Sequence, residues 1–108
     1  MARIIWTNPA LSDLEAIADY IALDNPRAAT KLVRRIFKHV SQLEDFPQSG
    51  SIPSEFPQSP YRQIVEPPCR VFYRQEDDRV WILHVMRSER QLRRDSLTQR
   101  PPCVAEED

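Results

Sequence analysis

A proline-dense stretch at residues 47–60 divides the chain into two parts with different hydrophobic periods. It holds four prolines and the single glycine of the chain, Gly50, so we expect no regular helix or strand to persist through it. Before this stretch, apolar residues recur with the spacing of amphipathic helices; after it, they alternate as in β-strands. The sequence therefore predicts a helical part and a sheet part joined by a long loop.

Two helices are predicted before the loop. Asn8 and Asn25 each precede a proline, the pattern of a helix N-cap followed by proline at the first helical position. An apolar stripe follows each start: Leu14, Ile17, Ala18 and Ile21 in the first helix, then Ala29, Leu32, Val33, Ile36, Val40 and Leu43 in the second. Because few residues separate the two helices, we expect an antiparallel hairpin.

Four strands complete the predicted fold. They are Arg3–Trp6, 61–66, 69–75 and 79–86. The last three form an antiparallel meander, and the nearly continuous apolar run at 79–86 predicts a central strand that is covered on both faces. Pro67-Pro68 is tolerated only in a turn or at an edge. The predicted class is α+β: a small antiparallel sheet with an N-terminal strand, a two-helix hairpin on one face and a short C-terminal helix.

Length and composition limit the domain organisation and the kinds of function. The 108 residues suit one domain over 1–100 followed by a disordered acidic tail over 101–108. No apolar run approaches the roughly 20 residues of a membrane span, and the first residues predict no export signal, so a cytoplasmic location is expected. Cys69 and Cys103 are too few for a disulfide scaffold or a four-ligand zinc site, and we expect no metal or cofactor.

The net charge of −1 conceals a marked segregation of charges. Residues 27–39 carry five cations and no acid, and residues 87–100 carry five arginines against two acids. The first helix is acidic instead. The basic face of the second helix is either neutralised by that acidic helix, the interpretation that we favour, or it faces phosphate or a partner. The acids in question are Asp13, Glu15 and Asp19.

Several polar residues of the sheet part are candidates for chemistry. Arg62, Arg70, Arg87 and Arg90 lie in the strands or just after them, where a cluster of guanidinium groups would bind phosphate well. The alternative is that each arginine pairs with a nearby acid, namely Glu66, Glu76, Asp77 or Glu89. Tyr73 is a weaker candidate, since a strand tyrosine is ordinarily a packing residue. We expect His84 to be a hydrogen-bonded core residue and His39 to be solvated.

Short motifs follow one another in a fixed order over about residues 3–98. They are Pro9–Leu14 with Ile17, Tyr20 and Ile21, then Asn25–Ala29, Leu43–Gly50, Tyr61-Arg62, Arg70–Tyr73, Val80–Met86 and Arg90. In this order they resemble the RelE/ParE superfamily of small bacterial toxins from type II toxin–antitoxin modules. One departure concerns proton chemistry: Arg87 and Ser88 stand where many members have histidine and glycine. An arginine cannot exchange protons near pH 7 as an imidazole does.

The resemblance implies a toxin that is neutralised by a small cognate antitoxin in a hetero-oligomer. We favour the ParE-like branch, whose members poison DNA gyrase. The target-binding candidates are then Arg87, Arg90, Arg93 and Arg94. The alternative is a RelE-like toxin that cleaves mRNA on the ribosome. Its weak catalytic candidates are Arg62, Arg70, Arg87, Arg90 and Tyr73. A third interpretation is an inactive relative that acts only as a binding module.

Overall fold

The computed structural model describes residues 2–88, which contain a four-stranded sheet and two helices. In chain order the elements are β1 (Arg3–Trp6), α1 (Asn8–Ala22), α2 (Pro26–Ser41), β2 (Tyr61–Glu66), β3 (Cys69–Glu76) and β4 (Arg79–Arg87). A short 3₁₀ turn, Gln42–Glu44, follows α2. The α+β class predicted from the sequence is confirmed. The predicted C-terminal helix and acidic tail lie outside the described residues. Within residues 2–88, no helix combines the length and apolar character that crossing a membrane requires.

The strands lie in the order β1-β4-β3-β2. β2, β3 and β4 form the expected antiparallel meander, with Pro67-Pro68 in the turn between β2 and β3. β1 runs parallel to β4, so the sheet is mixed. The pairing joins Arg3–Trp6 to 79–82, so within residues 2–88 the second half of β4 has no strand on that side.

The start of α1 differs from the prediction. Its N-cap is Thr7 rather than Asn8: the Thr7 hydroxyl accepts a hydrogen bond from the Ala10 N–H at 3.4 Å. The same hydroxyl donates to the Ile82 carbonyl at 2.7 Å, so the cap also fastens α1 to β4. Asn25 caps α2 as predicted, with its side chain accepting from the Ala28 N–H at 3.1 Å. Thr7 is the N-cap of α1 because its buried hydroxyl forms hydrogen bonds with two backbone groups, the Ala10 N–H and the Ile82 carbonyl.

Beyond Ile82, a side chain of α1 takes the place of a fifth strand. Asp13 Oδ2 accepts a hydrogen bond from the Val85 N–H at 3.2 Å and lies 2.7 Å from Nδ1 of His84. The His84 ring stacks on Phe72 with centroids 5.8 Å apart. The prediction that His84 is a hydrogen-bonded core residue is confirmed. The backbone of β4 is therefore satisfied by β1 at one end and by an α1 carboxylate at the other.

Apolar side chains cover both faces of β4, as the sequence predicts. The main core lies between the sheet and the helices and includes Val80, Ile82 and Val85. A smaller cluster on the opposite face contains Phe72 and Met86. A β-bulge allows Ile82 and Val85 to share a face: Phe72 lies opposite His84 and Tyr73 lies opposite Ile82, so Leu83 is an extra residue.

The loop over residues 47–60 is attached to the sheet at Gly50. Its N–H donates to the Tyr73 hydroxyl at 2.9 Å, and the next residue, Ser51, exchanges two backbone hydrogen bonds with Gln63 of β2. A Cβ atom at Gly50 would lie 2.5 Å from the Gln63 carbonyl oxygen and 2.6 Å from the Tyr73 hydroxyl. The single glycine of the chain is thus required by this close approach of backbone to strand.

We expect Gly50→Ala to lower the free energy of unfolding by about 1–3 kcal/mol, since the added methyl group must displace the loop from β2. Urea denaturation of the variant and the wild type measures this difference. Ser49→Ala, at the exposed neighbouring position, serves as the control and should change the free energy by less than about 0.5 kcal/mol. Equal stability of all three proteins would contradict the close approach.

Candidate functional site

Tyr73 lies in the main core, where its side chain has no solvent exposure. Burial raises the pKa of its phenol above the usual value, while the hydrogen bond from Gly50 and the positive charge of Arg62 act in the opposite direction. The hydroxyl therefore stays protonated and accepts from the Gly50 N–H. In this position the phenol holds the loop and does not reach a substrate on the surface.

Arg62 points from β2 toward the same loop. Its guanidinium donates to the Gly50 carbonyl at 2.8 Å and to the Gln48 carbonyl at 3.4 Å. Backbone carbonyls in an irregular loop need donors that the loop itself does not supply. Arg62 thus satisfies the first part of the loop on the sheet face that also carries Tyr73.

Arg70 lies on the opposite face of the sheet and forms a two-pronged ion pair with Glu55 of the loop, at 2.9 and 3.0 Å. Its Nε donates to the Gln63 side chain at 2.8 Å, and the guanidinium lies 4.8 Å from the centre of the Phe72 ring. The side chain is only 12% exposed. Pairing with an acid was one of the two expectations for this residue, but the acid is in the loop rather than in a strand or turn.

Arg87 occupies the end of β4, opposite Cys69 in the register with β3. Its guanidinium carbon lies 5.2 Å from the centre of the Tyr20 ring on α1, within the range of a cation–π contact. Arg62 and Arg70 lie on opposite faces, and Arg87 contacts α1, so these three side chains do not form one cluster. Arg90, Arg93 and Arg94 lie outside the described residues.

Glu66 of β2 joins the sheet to α2 through two partners. Arg35 Nε donates to Glu66 Oε2 at 3.1 Å, and His39 Nδ1 lies 3.0 Å from Glu66 Oε1. The expectation that His39 is only solvated is therefore wrong, because the helix turns this ring toward the sheet. The favoured interpretation of the basic helix is also wrong, since Asp13 contacts His84 and the partner of Arg35 comes from β2.

Metal binding has no preassembled ligand set in the part of the chain that the structure describes. Over residues 2–88, no three His, Cys, Asp or Glu side chains lie close enough together to hold an ion. Cys69 is buried in the core at the start of β3, and Cys103 lies outside the described range.

The model of the ParE toxin family of type II toxin–antitoxin systems (parDE) matches residues 4–92. The chain belongs to this family, and the superfamily resemblance inferred from its motifs is confirmed.

A toxin sequence and a solved structure are both similar to this chain over most of its length. It is similar to Toxin RelE2 of Caulobacter vibrioides, with 32% identity over 91 residues that cover 83% of this chain and 99% of that toxin. It is also similar to a solved structure titled as the chromosomal ParDE TA system from P. aeruginosa, with a TM-score of 0.68 and 33% identity. That match covers 82% of this chain and 98% of the solved chain.

We expect Tyr73→Phe to reduce the free energy of unfolding by about 1–3 kcal/mol, because the Gly50 N–H would lose its acceptor in a buried place. The pKa of Tyr73 is higher in the folded protein than in the unfolded chain. The protonated phenol therefore contributes its full stabilisation at pH values below the unfolded-state pKa, and this stabilisation is lost as the pH rises through the folded-state pKa. The alkaline loss of stability should therefore be shallower in Tyr73→Phe than in wild type.

Urea denaturation at neutral and alkaline pH measures both effects, and Tyr61→Phe, on the smaller apolar cluster, is the matched control. Growth inhibition by Tyr73→Phe should persist at temperatures where the variant is folded. Loss of growth inhibition with unchanged stability would instead assign Tyr73 to the chemistry of the toxin.

Proposed function

We propose that this chain is a ParE-like toxin that inhibits growth by binding DNA gyrase in the cytoplasm and is neutralised by a small cognate antitoxin. The observation that carries the proposal is the placement of the catalytic candidates. Arg62, Arg70 and Tyr73 are occupied by contacts with the loop and do not converge on one reacting centre. A toxin with this arrangement acts more readily by binding than by catalysis.

The chemistry of RNA cleavage supplies the contrast. Attack of a 2′-hydroxyl on the adjacent phosphate needs a proton acceptor, a proton donor and cations that stabilise the developing charge. Among the described residues, the phenol of Tyr73 is buried and the side chain of His84 is only 11% exposed, so neither group is presented to a substrate on the surface. Many relatives have histidine at the position of Arg87, and a guanidinium group is a poor proton relay. These features favour the gyrase-binding alternative over RelE-like cleavage of mRNA.

We assign target binding to Arg87 together with Arg90, Arg93 and Arg94. Arg87 lies beside Tyr20, whose side chain is 62% exposed, so the end of β4 presents an arginine and a tyrosine together. These two residue types are enriched among the side chains that contribute most to protein interfaces. The following arginines extend the positive charge of this region along the sequence.

A direct assay distinguishes the two targets. Purified toxin added to gyrase, ATP and relaxed plasmid should inhibit supercoiling or trap cleaved DNA, and it should leave mRNA intact in a translating ribosome extract. Codon-dependent cuts in that mRNA, with gyrase unaffected, would replace this proposal with the RelE-like one. If both assays are negative and the antitoxin is still bound, the chain is an inactive relative.

We expect Arg90→Ala to abolish growth inhibition with a change in stability below about 0.5 kcal/mol, because Arg90 comes after Met86, the last core residue of β4, in the sequence. Arg87→Ala should also lose inhibition, with an additional cost of about 0.5–1 kcal/mol from the contact with Tyr20. Arg79→Ala, at the exposed start of β4, is the matched control and should inhibit growth normally. Thermal melting of all three variants is the accompanying measurement. An unfolded Arg90→Ala protein would identify Arg90 as a structural residue.

A further inference from the structure

The outward side of α2 carries a straight row of four cations. Arg27, Lys31, Arg34 and Lys38 are spaced at i, i+4, i+7 and i+11, which places them on one side of the helix. All four residues are exposed. We call them the α2 basic stripe. From the helical rise, the stripe extends over about 16 Å, with Cβ atoms of neighbouring stripe residues about 5–6 Å apart.

No acid neutralises the stripe at contact distance. The helix itself contains no Asp or Glu, and its remaining cation, Arg35, is turned to Glu66 of β2. Within residues 2–88, none of the four stripe residues has an ion-pair partner. Like charges on one helix side repel each other by a few tenths of a kcal/mol per pair. This arrangement lowers the stability of the free protein, and an anionic partner would remove the repulsion.

The surroundings of the stripe indicate the kind of partner. Three of its residues, Arg27, Lys31 and Arg34, line a shallow groove together with Pro26 and Thr30. The neighbouring aromatic residue, Phe37, packs against Trp6 of β1, with ring centroids 4.8 Å apart. Phe37 keeps 41% of its surface exposed, but it is a single ring beside four charged residues. Within residues 2–88 the stripe therefore has neither the continuous apolar centre of a protein interface nor the series of aromatic rings on which successive bases of a single strand stack. Cations at regular intervals along a helix are instead complementary to the regularly spaced phosphates of a duplex.

We propose that the α2 basic stripe binds the phosphate backbone of duplex DNA without reading its sequence. Arginine and lysine contacts to phosphate fix position and orientation on a duplex but carry no sequence information. The stripe lies on α2, whereas target binding is assigned to Arg87 at the end of β4 and to the arginines after it in the sequence, so the two sets of residues are separate in the chain. The proposal does not depend on which enzyme the toxin inhibits.

The test is the salt dependence of DNA binding by the full chain, measured by fluorescence anisotropy with a short duplex of arbitrary sequence. Four phosphate contacts contribute a slope of about −3.6 to log affinity against log salt, a loss of roughly 100-fold between about 50 and 200 mM. Lys31→Gln/Arg34→Gln should make the slope shallower by about 1.8 and weaken binding at low salt by roughly 10-fold or more.

The control is Arg74→Gln/Arg79→Gln, which removes the same two charges from β3 and β4 and should retain the wild-type slope. Thermal melting verifies that both double variants are folded. Equal losses in the two variants, or no DNA binding by the wild type at low salt, would overturn the proposal. It would also be overturned by tighter binding to duplex RNA. Loss of antitoxin co-purification in Lys31→Gln/Arg34→Gln, with DNA binding unchanged, would assign the stripe to the antitoxin.

Discussion

The attachment of the proline-rich loop to the sheet is the interaction on which the rest of the described structure depends. The loop has no repeating hydrogen-bond pattern of its own, and its polar groups are satisfied from β2 and β3. Tyr73 and Arg62 hold it at Gly50 on one face, and Arg70 holds Glu55 on the other. The loop in turn supplies Phe56 to the smaller apolar cluster. Three of the five catalytic candidates, Arg62, Arg70 and Tyr73, thus support this segment.

The charged residues of the described chain fall into two groups with different uses. Glu55, Glu66 and Asp13 each join elements that are distant in sequence: the loop to β3, α2 to β2 and α1 to β4. Partly buried pairs of this kind impose registry, and breaking one of them leaves an uncompensated charge. With these acids committed to other contacts, the cations on the outward side of α2 stay exposed to solvent. These three acids therefore stabilise contacts between elements and do not neutralise the exposed cations of α2.

Much of the architecture could be predicted from the sequence because hydrophobic periods report burial directly. The helical hairpin, the meander and the cap at Asn25 all follow from local spacing and capping chemistry. Contacts between segments that are distant in the sequence produce no periodic pattern from which they could be predicted. Nothing near Thr7 indicates that its hydroxyl reaches Ile82, and the uniform apolar run of β4 conceals the bulge at Leu83.

The candidate site was less predictable for the same reason. Arginines in neighbouring strands suggest a cluster, but the alternation of side chains along a strand places Arg62 and Arg70 on opposite faces of the sheet. Their partners lie in the loop over residues 47–60, and the sequence of an irregular loop has no periodicity from which its course can be predicted. The one sequence feature that indicates where the loop contacts the sheet is its single glycine, Gly50. A glycine within a proline-rich segment marks a place where two backbones approach closely, and here that place is directly above Tyr73.

The parallel pairing of β1 with β4 has a consequence for how the chain acquires its structure during synthesis. β1 is synthesised first but cannot pair until β4 has been synthesised, because Arg3 pairs with Arg79 and the Thr7 hydroxyl donates to the Ile82 carbonyl. Closing contacts over such sequence separations is entropically costly and slow compared with forming the helical hairpin. During translation the hairpin can form early, but its apolar side remains uncovered until β4 has been made. The nascent chain therefore has no complete sheet on the ribosome until nearly all of the described sequence is available.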